Sequence, residues 1–107
     1  VNLLLDECID RRFAREFGAE HFVETVPRRG WAGIKNGELL SLAEVEFDVF
    51  ITVDRNLSFQ QNLPEFNIAV LVLRAPSNRL ADLKPLAPKV LSILSMLVKG
   101  KVVSVAT

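Results

Sequence analysis

The chain has 107 residues, room for one domain around one hydrophobic core. Half of the residues are hydrophobic, which excludes a disordered segment, and 13 Lys plus Arg balance 13 Asp plus Glu, which argues against a basic nucleic-acid coating protein. The single cysteine, Cys8, excludes an internal disulfide and suits a reducing compartment.

No apolar run reaches the roughly 18–20 residues of a membrane span, and the N-terminus passes from a strand into acids without a basic leader. The expectation is a cytoplasmic protein with no membrane partner. Residues 1–5 form a short, wholly apolar run closed by Asp6-Glu7, the mark of a strand buried on both faces. Over residues 9–17 the apolar Ile9, Phe13 and Phe17 recur every four positions, opposite Arg11, Arg12 and Arg15, which predicts an amphipathic helix stopped by Gly18. A second strand is read over 21–26, ended by Pro27.

The polar stretch from Arg28 to Lys35 predicts a loop. Asn36 stands where an N-cap belongs, with Glu38 in the first turn and Leu39, Leu40, Leu42, Ala43 and Val45 as the buried face of the next helix. Residues 47–53 read as a third strand, followed by the turn Asp54-Arg55-Asn56. A short helix over 58–62 ends before Pro64, and a fourth strand spans 68–73. Ser77 or Asn78 then caps a long helix over 79–98, with Pro85 and Pro88 in its first third able to split it. Gly100 ends that helix, and 101–105 form the last strand.

Strand and helix alternate throughout, so one domain, 1–107, is expected. Its architecture would be three-layer α/β/α and Rossmann-like, with a mostly parallel sheet of four or five strands in the order 2-1-3-4-5. In such a sheet, ligands bind outside the C-terminal ends of the strands, where the order reverses. Asp6 and Glu7 follow the first strand there, Asp54 follows the third, and Glu38 opens the helix leading into it. Convergence of three or four carboxylates repels unless a cation neutralises them, and an all-oxygen set fits Mg²⁺ or Mn²⁺. The alternative for each acid is the capping of a helix. Asp48 lies near the start of the third strand, at the other edge, and reads as a surface charge.

Three segments carry a resemblance: Leu4-Leu5-Asp6-Glu7-Cys8, the stretch from Gly30 to Leu40 with Leu42-Ala43, and Ile51-Thr52-Val53-Asp54-Arg55-Asn56-Leu57. Together they look like the short PIN-like proteins, which are similar to VapC-type toxins of toxin–antitoxin pairs. The likeness runs over nearly the whole chain and includes Ser77-Asn78-Arg79 and Asp82-Leu83. Thr52-x-Asp54 matches the T-x-D step of PIN domains, Asp6 their first-strand aspartate, and Glu38 stands in the region of their helical acid. The resemblance implies cleavage of single-stranded RNA assisted by Mg²⁺ or Mn²⁺, with inhibition by a small antitoxin protein. Asp6, Glu7, Glu38 and Asp54 would then be catalytic, with Asp6, Asp54 and Glu38 on the metal. Two departures are visible: Asn56 or Asn78 stands in place of a fourth acid, and Asn36 where many relatives have Asp.

Lys35, Asn36, Arg55, Asn56, Asn78 and Arg79 fall at the same edge and are candidates for RNA contact; Arg55 alternatively pairs with Glu7 or Asp6. Trp31 would stack on a base, anchor a partner, or pack over the core edge. His21 is read as remote from the acids, and Cys8 as a small hydrophobe. Two other functions remain open. One is a catalytically weak module that acts through an antitoxin or a homodimer, with Trp31 and the segment 59–66 as its surfaces. The other is a phosphoacceptor receiver, which would need a lysine at the C-terminal end of strand five, whereas Lys101 precedes it.

Overall fold

The computed structural model describes residues 1–106, apart from the side chains of Ser58 and Phe59. Its five strands are β1 (Asn2–Leu5), β2 (Phe22–Thr25), β3 (Val49–Thr52), β4 (Ala69–Arg74) and β5 (Val102–Ala106). All pair in parallel, in the order β2-β1-β3-β4-β5, as the alternation of elements predicts. The helices are α1 (Asn36–Ala43), α2 (Leu57–Gln60), α3 (Leu80–Leu83) and α4 (Ala87–Ile93), with 3-10 segments between them.

Side chains of a strand alternate between its faces, and the apolar strands feed two cores. Leu3, Leu5, Val49, Ile51 and Leu71 point to one face, where Phe13, Phe17, Leu83 and Val90 cover them. Leu4, Phe50, Val70 and Val72 point to the other, under Leu39, Leu40, Ala43 and Leu57. The molecule is therefore the three-layer α/β/α sandwich that the continuous apolar runs require. The connection from β4 to β5 runs in the same direction as that from β3 to β4 but over the opposite face. It thus crosses with the other hand, an exception to the uniform hand of parallel crossovers.

Three local expectations are corrected. Residues 9–17 are not an α-helix: a 3-10 helix spans Arg11–Phe17, and Asp10 sets its start by accepting the Arg12 backbone N–H at 3.0 Å. Its buried face is the expected one, and Gly18 ends it at φ 69°, a conformation that favours glycine. Asn36 is the first residue of α1 and not its cap; Lys35 holds that place without a side-chain bond. Leu42 and Val45 are exposed, by 37% and 80%: Leu42 falls outside the α1 face that buries Leu39, Leu40 and Ala43, and Val45 lies beyond the helix end. The long C-terminal helix is split at Lys84–Leu86, as the prolines allow: Pro85 removes a backbone donor and crowds the preceding turn. Pro88, in the first turn of α4, is tolerated there.

Asp48 is a surface charge at the N-terminal edge of the sheet. It accepts the Asn2 backbone N–H at 2.8 Å and lies 3.7 Å from the Lys99 ammonium.

Candidate functional site

The chain leaves β1 over one face and β3 over the other, so the order reverses between these two neighbours and a crevice opens beyond their C-terminal ends. Leu5 pairs with Ile51, and the Asp6 backbone N–H donates to the Ile51 carbonyl at 2.9 Å. This register brings Asp6 beside Thr52. The Thr52 hydroxyl, completely buried, donates to Asp6 Oδ2 at 2.6 Å and accepts the Asp54 backbone N–H at 3.1 Å. One hydroxyl thus ties together two acidic loops that are 46 residues apart.

The other three carboxylate oxygens of the two aspartates each accept a hydrogen bond from the protein. Glu7 N–H donates to Asp6 Oδ1 at 2.8 Å, Asn56 N–H to Asp54 Oδ1 at 2.9 Å, and the Asn36 side-chain amide to Asp54 Oδ2 at 3.3 Å. Asp6 is 8% exposed and Asp54 half-buried. Their orientations are fixed by neutral donors, and each oxygen retains a second acceptor site for a ligand.

Glu7 is exposed and turns to the loop after β2, accepting Gly33 N–H at 3.2 Å. Glu38 is exposed on the first turn of α1. Among the described residues no three of His, Cys, Asp and Glu come together as a metal-holding group; what joins the two strand ends is Thr52, between the Asp6 carboxylate and the Asp54 backbone N–H. Glu7 stands in the turn after β1, where its carboxylate meets the Gly33 N–H, and Glu38 faces solvent from α1. A cation would meet an all-oxygen donor set, which suits a hard divalent ion held by one or two carboxylates and waters.

Asn78 donates its side-chain amide to the Cys8 carbonyl at 3.0 Å, which ties the loop after β4 to the loop after β1. Ser77 hydrogen-bonds Asp82 and accepts the Arg79 N–H at 3.1 Å, shaping the turn into α3. Lys35, Arg55 and Arg79 are exposed and form no ion pair among the described residues. Burial foremost, and then the negative charge of Asp6, pushes the Cys8 thiol above its ordinary value, so it is protonated at neutral pH.

Trp31 is half-buried, edge-on to Phe47 at 6.3 Å, and the Arg29 guanidinium covers its ring at 4.8 Å from the centroid. Phe66 is half-buried against the α1-side core, while the side chain of Phe59 lies outside the described residues. His21 lies just before β2, at the opposite end of the sheet from the acids.

The sequence reading passed over Thr52 as a bridge and Asn36 as a partner of Asp54. The spacing Thr52-x-Asp54 carried the first signal, because residues two apart share a strand face. The second depends on where α1 sits and left no mark in the sequence. No family model, curated protein or solved structure matches the chain. The class is defined by geometry alone: a doubly wound parallel α/β domain with a hydroxyl-bridged pair of aspartates at its switch point.

Proposed function

We propose that this chain is a nuclease for single-stranded RNA that depends on a divalent cation, Mg²⁺ or Mn²⁺, in the manner of the PIN-like toxins it resembles. The observation that carries the reading is the Asp6–Thr52–Asp54 bridge at the switch point of the sheet. Asp6 and Asp54 would hold the ion, which when bound polarises the phosphate and makes water a stronger nucleophile.

The remaining work falls to the chain. Thr52 fixes the Asp6 carboxylate, while Asn36 and the Asn56 backbone fix Asp54, so neither has to reorganise when a ligand arrives. Lys35, Arg55 and Arg79, exposed in the loops at the same edge, are placed to balance the charge of the phosphates. Glu7 and Glu38, both exposed, are available to accept a proton. A small antitoxin protein and a homodimer belong to the same reading as partners. The receiver alternative loses its support, because Lys101 stands at the N-terminal end of β5.

The test is cleavage of a single-stranded oligoribonucleotide with and without Mg²⁺ or Mn²⁺. Asp6→Asn and Asp54→Asn should abolish it, whereas Asp48→Asn, at the far edge, should not. Full activity in both aspartate variants would refute the reading. A second reading, a binding module without turnover, is favoured by the count of acids, a pair where three or more were expected. Calorimetry showing no heat of Mn²⁺ binding, beside tight binding of a protein partner, would select it.

A further inference from the structure

The arginines concentrated at positions 11, 12 and 15 take no part in the acid site. Together with Arg28 they line a groove of about 680 Å³ between the 3-10 helix and the outer edge of β2. Ile9, Ala14 and Val23 give the groove an apolar lining, and none of the candidate acids lines it.

We propose that this groove binds the phosphodiester backbone of single-stranded RNA, as a seat for the part of the strand that flanks the acid site. The identity of the strand rests on the nuclease reading above. The charge argument comes first. The whole chain is neutral, so four arginines on one groove are a local concentration of positive charge. Arg11 and Arg15 are exposed and form no ion pair among the described residues. Arg12 is held by Asp10 at 2.7 Å, and Arg28 lies 3.6 Å from Glu24, the acid in the lining. Guanidinium forks match phosphate oxygens in pairs, which lysine does not.

Position comes second. Thr25, in the lining, pairs with Leu5, the residue before Asp6, and Ile9 follows Asp6 closely in the chain. The groove therefore opens beside the edge of the sheet where the acids stand. Among the described residues no aromatic side chain lines it, so the site offers charge without base stacking and would tolerate any base sequence.

The competing occupant is an acidic peptide added as a strand to the β2 edge, and the backbone speaks against it. Strand addition needs the free N–H groups of an edge strand. One of these groups, the Thr25 N–H, is already taken by the Glu24 carboxylate at 3.1 Å, and a carboxylate at the edge repels an acidic strand.

The experiment is fluorescence anisotropy of a labelled oligouridylate with the full chain in EDTA, across a range of salt. Arg11→Gln/Arg15→Gln should weaken binding on the order of tenfold and lower the slope of log affinity against log salt by about 1.4. Arg11→Lys/Arg15→Lys, which keeps the charge, should restore the slope and thereby exclude misfolding as the cause. Lys84→Gln, outside the groove, should leave affinity unchanged, and Asp54→Asn should bind like the unaltered chain while losing cleavage. Unchanged affinity and slope in the glutamine pair would overturn the groove, even with metal-dependent cleavage intact. Cleavage surviving in Asp54→Asn, with arginine-dependent binding retained, would instead remove the nuclease reading and leave the groove. An unaltered chain that ignores oligouridylate but binds polyglutamate through Arg11 and Arg15 would overturn the proposal in favour of an acidic protein partner.

Discussion

Replacing Thr52 by valine removes one hydroxyl from the site and nearly preserves the shape of the side chain. Thr52 is completely buried, and its hydroxyl serves Asp6 Oδ2 at 2.6 Å and the Asp54 N–H at 3.1 Å. Loss of a hydrogen bond to an ionised group costs about 1.5–3 kcal/mol, and loss of a neutral one about 0.5–1.5 kcal/mol. Asp6 is 8% exposed, so water has little access to replace the lost donor. The expected loss is about 2–4 kcal/mol, against a total of about 5–15 kcal/mol for a typical domain. At about 4–8 °C per kcal/mol for a chain of this size, Tm should fall by about 8–32 °C. Thr52→Ser keeps the hydroxyl and loses one methyl group, worth about 1 kcal/mol. Urea unfolding followed by circular dichroism measures both, provided that the denaturant slopes agree. If Thr52→Val is as stable as the unaltered chain, or more stable than Thr52→Ser, the bridge does not hold the two loops.

Phe13 anchors the 3-10 helix; it is fully buried, with its ring 5.3 Å from that of Phe17 and perpendicular to it. Phe13→Ala should cost about 3–5 kcal/mol by urea unfolding, and a loss under about 1 kcal/mol would show that this helix is not held by its apolar face. The Cys8 thiol, raised above its ordinary value of 9.0 by burial and by Asp6, keeps its proton in the folded state where the unfolded chain has released it. Its contribution to stability is therefore complete below about pH 9 and is lost as pH rises through the folded value. Iodoacetamide should alkylate Cys8 more slowly in the folded chain than in urea, and Cys8→Ser should flatten the alkaline loss of stability; equal alkylation rates would refute the assignment.

Much of the fold was legible because the signals were local. Each apolar block became a strand within two residues of its expected ends, and Gly18, at φ 69°, closed the segment before it, whereas the C-terminal helical run stops at Met96, short of Gly100. The failures were also local choices, decided by packing. Periodicity over 9–17 could not distinguish α from 3-10 winding, since Phe13 and Phe17 reach the same core either way. Val45 looked apolar enough to be buried, but the helix ended before it.

Sequence alone determined that Asp6 and Asp54 each close an apolar strand, because alternation and burial are properties of short segments. Only the tertiary structure decided that they belong to one site. That required β1 to lie beside β3 and Leu5 to meet Ile51, a pairing across more than forty residues; a slip of one residue would turn Thr52 to the wrong face. Long-range packing likewise turned the Glu7 carboxylate to the Gly33 N–H and brought in Asn36, whose amide meets Asp54 across 18 residues.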